Sequence, residues 1–187
     1  MTLSPDHAIL GLLAHAPQHG YQMLECFSDP ACLGQIWRLN ASQLYSTLKR
    51  LERDGLISGQ SAPSEIGPPR TVYHLTEAGR DQLLHWLHEP SPSASIRRVR
   101  VEFPSRLFVA HLLNVPSAPI IAHQRAACQQ ERERLIAQSS QAADGMASLA
   151  LTFAIEQLEA ALRWIERCEQ MTFDTLTEYF RERRPSQ

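Results

Sequence analysis

Most of the features that announce a function are missing from this sequence. No apolar run approaches the roughly 20 residues that a membrane-spanning helix needs, so no membrane association is expected. The opening residues, MTLSPDHAILGLL, have neither the cationic start nor the small-residue cleavage site of a secretory signal, which makes the cytoplasm the expected location. The four cysteines, Cys26, Cys32, Cys128 and Cys168, form no CxxC pair and no zinc-ligand spacing. They read as small buried or half-buried side chains in a reducing cell, the other reading being a redox-responsive thiol. There is no glycine-rich phosphate loop, no nucleophile with a base in recognisable context and no paired set of metal ligands. No enzyme, no cofactor and no metal is therefore expected. His85 and His88 are spaced i, i+3 without a carboxylate or cysteine set around them, and read as surface positions, as do the isolated His111 and His123.

An excess of positive charge is missing too. The formal net charge is −2 over 187 residues. Up to residue 90 the cations are Arg38, Lys49, Arg50, Arg53, Arg70 and Arg80. Against them stand Asp6, Glu25, Asp29, Glu52, Asp54, Glu65, Glu77, Asp81 and Glu89. That balance argues against nucleic-acid binding by net charge alone, but local potential decides such binding, and the cations cluster.

What is present is a helix followed by two short strands between Arg38 and Leu75. Asn40 is placed to cap the helix, and Leu44, Leu48 and Leu51 recur at i, i+4, i+7 to make one apolar stripe. The other side carries Ser42, Gln43 and Ser46, then Lys49, Arg50 and Arg53. Asp54-Gly55 ends the helix, since glycine takes up the left-handed cap conformation. Leu56-Ile57 and Thr71–Leu75 read as strands around a Gly/Pro/Ser-rich tip. Helix, strand, loop, strand is the order of a recognition helix and its wing.

Around this stretch the spacing predicts further helices. Ser4 as N-cap and Pro5 at the first helical position open one, with Ile9, Leu12 and Leu13 inside. His19-Gly20-Tyr21 opens a second, with Met23, Leu24 and Phe27 facing inward, and a loop from Ser28 to Trp37 follows. Thr76 caps a helix whose apolar side is Leu83, Leu84, Trp86 and Leu87. Pro90-Ser91-Pro92-Ser93 then marks the boundary between a winged-helix domain at 1–89 and a helical dimerisation and effector domain at 90–187. In the second domain a helix is expected from about Pro104, after an arginine-rich turn. A long polar helix spans 120–140, and a last one runs from about Met146 to Gln170, with Leu176, Tyr179 and Phe180 extending it. The fold class is mainly α: three helices with a two-stranded wing, then a helical C-terminal half.

The N-terminal residues resemble the PadR family of bacterial transcriptional regulators. The resemblance rests on Ile9-Leu10-Gly11-Leu12-Leu13, on His19-Gly20-Tyr21-Gln22-Met23, on Leu44-Tyr45 through Leu48-Lys49-Arg50-Leu51-Glu52 to Gly55-Leu56-Ile57, and on Pro69-Arg70 through Tyr73-His74-Leu75-Thr76 to Gly79. Ser42 and Ser46 depart from it, standing where the family often has glycine and proline. The helical C-terminal half, with Arg163-Trp164 late in its last helix, is similar to the longer branch of the family. The resemblance implies a homodimer joined through its C-terminal helices. It also implies binding to double-stranded DNA at a palindromic operator, usually as a repressor, with release by a small-molecule effector or another signal.

The chemistry of the residues gives each a role in that reading. Ser42, Gln43 and Ser46, at the start of the helix, are suited to base edges in a major groove, glutamine pairing bidentately with adenine. Lys49, Arg50 and Arg53 are phosphate clamps, and Arg70 on the wing reaches the backbone or minor groove. Tyr45 either touches phosphate through its hydroxyl or packs its ring against Tyr21 and the first helix, and Tyr21 joins the DNA-binding set. Trp37, Trp86 and Trp164 are core or dimer residues, or line an effector pocket, with Trp86 and Trp164 the candidate ligand contacts. Arg97, Arg98, Arg100 and Arg106 add phosphate contacts, pair with acids across the dimer or hold an anionic effector; the sequence does not choose. Glu131-Arg132-Glu133-Arg134 reads as the wet face of the long helix. The competing class is a winged-helix protein-interaction or ligand-sensing module that binds no DNA.

Overall fold

The computed structural model describes residues 3–62, 70–141 and 145–169. The tip of the wing, the extension through Leu176, Tyr179 and Phe180, and the tail beyond it lie outside the described residues. Ten elements follow one another: α1 (Asp6–His15), β1 (Gln18–His19), α2 (Gly20–Ser28), α3 (Ala41–Arg53), β2 (Ile57–Ala62), β3 (Arg70–Leu75), α4 (Glu77–Leu87), α5 (Ile96–Leu112), α6 (Ala118–Ser139) and α7 (Met146–Cys168). They form two compact units, one built on Met1–His88 and Ser105–Val115, the other on Glu89–Pro104 and Pro116–Thr172. Helix α5 contributes to both.

In the first unit the leucine stripe of α3 behaves as its spacing requires: Leu44, Leu48 and Leu51 are fully buried. They close a core with Ile9, Leu10 and Leu12 of α1, Met23 and Phe27 of α2, and Leu83 of α4. Asn40 caps α3 through its Oδ1, which accepts from the Gln43 N–H at 2.9 Å, and the Gln43 Oε1 in turn accepts from the Asn40 N–H at 3.0 Å. Gly55 follows at φ +74°, where a side chain would be strained. Thr76 caps α4, accepting from the Gly79 N–H at 3.1 Å while its hydroxyl donates to the Gly55 carbonyl at 2.7 Å.

The sheet has three strands, not the two expected, in the order β1-β3-β2, all antiparallel. Strand β1 is only two residues, pairing Gln18 with Tyr73 and His19 with Val72. A segment this short carries no alternation to be read. It exists because β3 offers a free edge.

Three local expectations are corrected. Ser4 does not cap α1; Pro5 occupies that position, and the Ser4 hydroxyl bonds to the Asp6 carboxylate. Leu84 is 42% exposed, so the apolar side of α4 is narrower than its leucines suggest. The arginine-rich stretch is helical, and Pro104 sits inside α5 instead of starting it. Proline removes a backbone donor there. Val99, Val101, Phe103, Leu107, Phe108, Val109, Ala110 and Leu112 are all buried, and that burial outweighs the missing bond.

The cysteines are not all free. Cys26 and Cys32 are joined as a disulfide, whereas Cys128 and Cys168 are buried thiols.

In the second unit α6 and α7 pack lengthwise and antiparallel, Arg125 near the start of α6 bonding Glu169 just past the end of α7. Ile120, Ile121, Cys128, Leu158 and Ile165 are buried, while Ile136, Met146, Leu149 and Phe153 stay exposed at 45–79%. Among the described residues no helix is long and apolar enough to cross a membrane.

Candidate nucleic-acid interface

Strand β1 places the start of α2 against the wing. Its residue His19 brings its Nδ1 to 3.0 Å from the Thr71 carbonyl, and its ring stacks on Tyr21 with centroids 5.4 Å apart. The Arg70 guanidinium lies over the same Tyr21 ring, 5.5 Å from its centroid. Tyr45 reaches this group from α3. A Cβ on Gly20 would meet its ring at 2.7 Å, so the tyrosine lies directly over the glycine. The result is an open cleft of ≈ 560 Å³ lined by His19, Gly20, Tyr21, Tyr45, Arg70, Thr71 and Tyr73. The alternatives left open for Tyr45 meet here: its ring packs on the start of α2, and the residue is still 41% exposed.

The sequence-predicted site residues fall into three groups. Tyr21, Tyr45 and Arg70 come together in the cleft. Ser42, Gln43, Ser46 and Lys49 are exposed along α3, although the Gln43 carbonyl oxygen is occupied by the capping box. Arg50 and Arg53 differ from each other. Arg53 is 73% exposed and, among the described residues, pairs with its neighbour Asp54 at 3.0 Å, an exposed contact worth little. Arg50 instead turns toward α1, with its Nη2 2.5 Å from Asp6 Oδ1 and 3.2 Å from Ser4 Oγ. Burial alone would raise the Asp6 pKa, but hydrogen bonds from Arg50 and Ser4 outweigh it and hold the carboxyl below 3.8.

This arrangement accounts for part of the acidic balance. Asp6 is neutralised by Arg50, Asp54 by Arg53, and Glu52 accepts from the Gly59 N–H at 2.8 Å, which fastens α3 to β2.

Residues outside the expected set also enter the cleft: His19, Thr71 and Tyr73. Burial, followed by the Glu52 and Tyr45 charges, pushes the Tyr73 phenol up, so it remains protonated. His19 stood in the quoted His-Gly-Tyr motif, but only the pairing of β1 with β3 shows where its ring goes.

The candidate ligand residues lie in different units. Trp86, in the first, is stacked on His7 with centroids 4.7 Å apart and has the Arg106 guanidinium 5.2 Å from its centroid. Trp164, in the second, meets Phe103 edge-on at 5.4 Å. Arg106 is 4% exposed, which removes it from any solvent-facing basic group, and Arg98 pairs with Glu102 at 2.7 Å. Trp37 donates its indole N–H to Ser105 Oγ at 2.9 Å. No cluster of three or more metal-ligating side chains occurs among the described residues.

These features define a winged helix-turn-helix protein with a helical C-terminal region. Residues 9–85 match the family model described as the transcriptional regulator PadR-like family. Over 174 residues the chain is 28% identical to the negative transcriptional regulator PadR of Bacillus subtilis (strain 168), covering 86% of this chain and 92% of that protein. The solved structure of Bacillus subtilis PadR in complex with operator DNA gives a TM-score of 0.43 at 25% identity, covering 89% of this chain and 97% of that one. The structure of the same protein in complex with p-coumaric acid gives 0.39 at 25% identity, covering 88% and 92%. The match to the PadR-like family of transcriptional regulators thus lies in the N-terminal residues, and the likeness to Bacillus subtilis PadR extends it over most of the chain.

Proposed function

We propose that this protein is a cytoplasmic, dimeric transcriptional repressor, without enzymatic activity, that binds a palindromic operator through α3 and the wing and releases it on binding a small molecule. The observation that carries the DNA contact is the cleft in which Arg70 of the wing stands over Tyr21 at 5.5 Å, next to Tyr45 of α3. Helix and wing thereby present one continuous face of hydroxyls and cations. In this reading Ser42, Gln43 and Ser46 meet base edges in the major groove, the glutamine donating through its side-chain amide. Lys49, Arg53 and Arg70 meet phosphates, and Tyr21 and Tyr45 donate their hydroxyls to the same backbone. Arg50 is a structural ion pair that fixes α3 on α1.

The dimer is supported by the second unit. Met146, Leu149 and Phe153, spaced i, i+3, i+7 along one side of α7, and Ile136 near the end of α6 expose large apolar side chains, of the kind that a partner surface covers. Burial against a second copy satisfies them. The domain division at residue 89 belongs to this proposal, with α3 and the wing serving DNA and residues 90–187 serving dimerisation and effector response. Trp86 and Trp164 are the proposed effector contacts. The relative in Bacillus subtilis has been solved both with operator DNA and with p-coumaric acid, which makes a small aromatic acid the first effector class to try.

The test is selection of duplex DNA from a random library by the purified protein at two salt concentrations. An enriched inverted repeat, with half-sites about 34 Å apart and binding that weakens steeply with salt, is expected. Absence of enrichment at low salt, with and without candidate effectors, would favour a winged-helix interaction module instead.

A further inference from the structure

The α2–α3 connection holds the Cys26–Cys32 pair. Cys26 lies in the last turns of α2 and Cys32 six residues on, with Cα atoms 5.3 Å apart, inside the range of about 4.4–6.8 Å that a disulfide bridges. The backbone holds this geometry by itself. The Leu33 N–H donates to the Cys26 carbonyl at 3.0 Å, and the Cys32 and Gly34 N–H groups both donate to the Asp29 carbonyl at 3.0 Å. The Ala31 N–H donates to Asp29 Oδ1 at 2.9 Å. A hydrogen-bonded turn therefore presents the two sulfurs to each other whether or not they are bonded. Cys26 is 3% exposed, Cys32 is 7% exposed, and Pro30 and Ala31 beside Cys32 are open to solvent.

We propose that Cys26 and Cys32 form a reversible thiol–disulfide switch that sets operator affinity, the oxidised state clamping the connection into α3 and binding more tightly. The output of the switch rests on the regulator reading above; its chemistry does not. Disulfides found in reducing compartments are usually transient and redox-sensing, which fits a pair in a protein that works on chromosomal DNA. The oxidant is a low-molecular-weight disulfide such as oxidised glutathione. The Cys32 thiolate attacks one of its sulfurs and releases one small thiolate, leaving a mixed disulfide. The Cys26 thiolate then attacks the Cys32 sulfur, releases the second small thiolate and closes the protein disulfide. Two electrons pass from the protein thiols to the small disulfide, and their two protons balance the two thiolates released.

The clamp acts on α3 through the chain. Phe27 and Leu33 on either side of the turn are fully buried, and the segment beyond, fastened by Trp37 to Leu33 and Ser105, leads directly to Asn40, the cap of α3, so strain or slack in the turn is passed along it. Reduction lets the sulfurs separate from bonded to van der Waals distance, leaving the turn and that segment held by hydrogen bonds alone. Restoring order on DNA then costs roughly what fixing one residue of backbone costs, which lowers affinity about five- to tenfold.

The experiment uses the full-length protein in glutathione buffers stepped from reducing to oxidising, trapped by alkylation under denaturing conditions and weighed. The sequence has four cysteines. The reduced protein is expected to carry four alkyl groups and the oxidised protein two, with C26A and C32A each abolishing the transition and the C128A/C168A double variant keeping it. Operator affinity in the oxidised state should be about five- to tenfold higher and should lose its redox dependence in C26A/C32A. Four alkyl groups throughout the range, a pairing that involves Cys128 or Cys168, or equal affinities with the disulfide formed would overturn the proposal. A thiol transition with no DNA binding in either state would support the thiol pair and overturn the regulator reading instead.

Discussion

Replacing Lys49 and Arg50 separately with alanine distinguishes two roles that their adjacency in sequence hides. Counted from the sequence, four cations per subunit face DNA: Lys49, Arg50, Arg53 and Arg70. A dimer then neutralises eight phosphates, and log Kobs falls with log salt at a slope of about −7. The structure assigns the Arg50 guanidinium to Asp6 at 2.5 Å and to Ser4 at 3.2 Å. Three cations per subunit remain, and the expected slope becomes about −5. Lys49→Ala should flatten it by a further two, roughly, because each dimer loses two contacts. Arg50→Ala should leave the slope unchanged and lower stability instead. Asp6 keeps a side chain only 15% exposed and loses its partner, while the 38% exposed guanidinium limits what the pair contributed. A loss on the order of 1 kcal/mol is expected at neutral pH. The Asp6 carboxyl is held below its ordinary 3.8 in the folded protein, so the stability it brings is present above that value and lost as pH falls through the depressed one. The gap between parent and variant should therefore close in strong acid. Fluorescence anisotropy on the operator across a salt series gives the slopes, and thermal unfolding across pH gives the rest. If Arg50→Ala flattened the slope as much as Lys49→Ala does, Arg50 would be leaving Asp6 for phosphate, and the structural role would be wrong.

Other expectations follow from the same geometry. His7, stacked on Trp86, has its pKa lowered from 6.5 to about 4, chiefly by burial and further by the Arg106 charge, against the opposing Asp6. The unfolded chain binds this proton first, so stability should fall as pH drops from 6.5 toward 4, by about 3 kcal/mol in all; His7→Phe should flatten the melting temperature across that window, and an unchanged profile would remove His7 as the cause. Gly20→Ala places a methyl 2.7 Å from the Tyr45 ring, so operator affinity should drop about fivefold, the worth of one hydrogen bond, with the fold retained by circular dichroism. Phe153→Asp puts a charge on a side chain that is 64% exposed in the single chain, and it should dissociate the dimer on a sizing column without lowering the melting temperature of the N-terminal unit.

Much of the first unit was legible before any coordinates. The leucines of α3, the Asn40 and Thr76 caps and the Gly55 stop were readable because each depends on neighbours within a turn or two of helix. The wing strands were readable because Thr71–Leu75 is rich in strand-forming side chains. The site was half legible: Tyr21, Tyr45 and Arg70 were named, with Tyr45 against Tyr21 as one of two readings, but the meeting with Arg70 depends on β1, two residues long, finding the edge of β3. The pairing of Arg50 with Asp6 was not legible because the two lie 44 residues apart. Pro104 misled because a local rule about proline was applied to a helix buried along most of its length.

By itself, then, the sequence determined the succession of helices and wing strands, the caps of α3 and α4 and the resemblance to the family, all of which rest on short-range periodicity, capping and motif spacing. Tertiary structure decided which cations pair with which carboxylates, which tyrosines share a cleft and which cysteines face each other. Those are distances between residues far apart in the chain, set by how the core closes, and no local pattern encodes them.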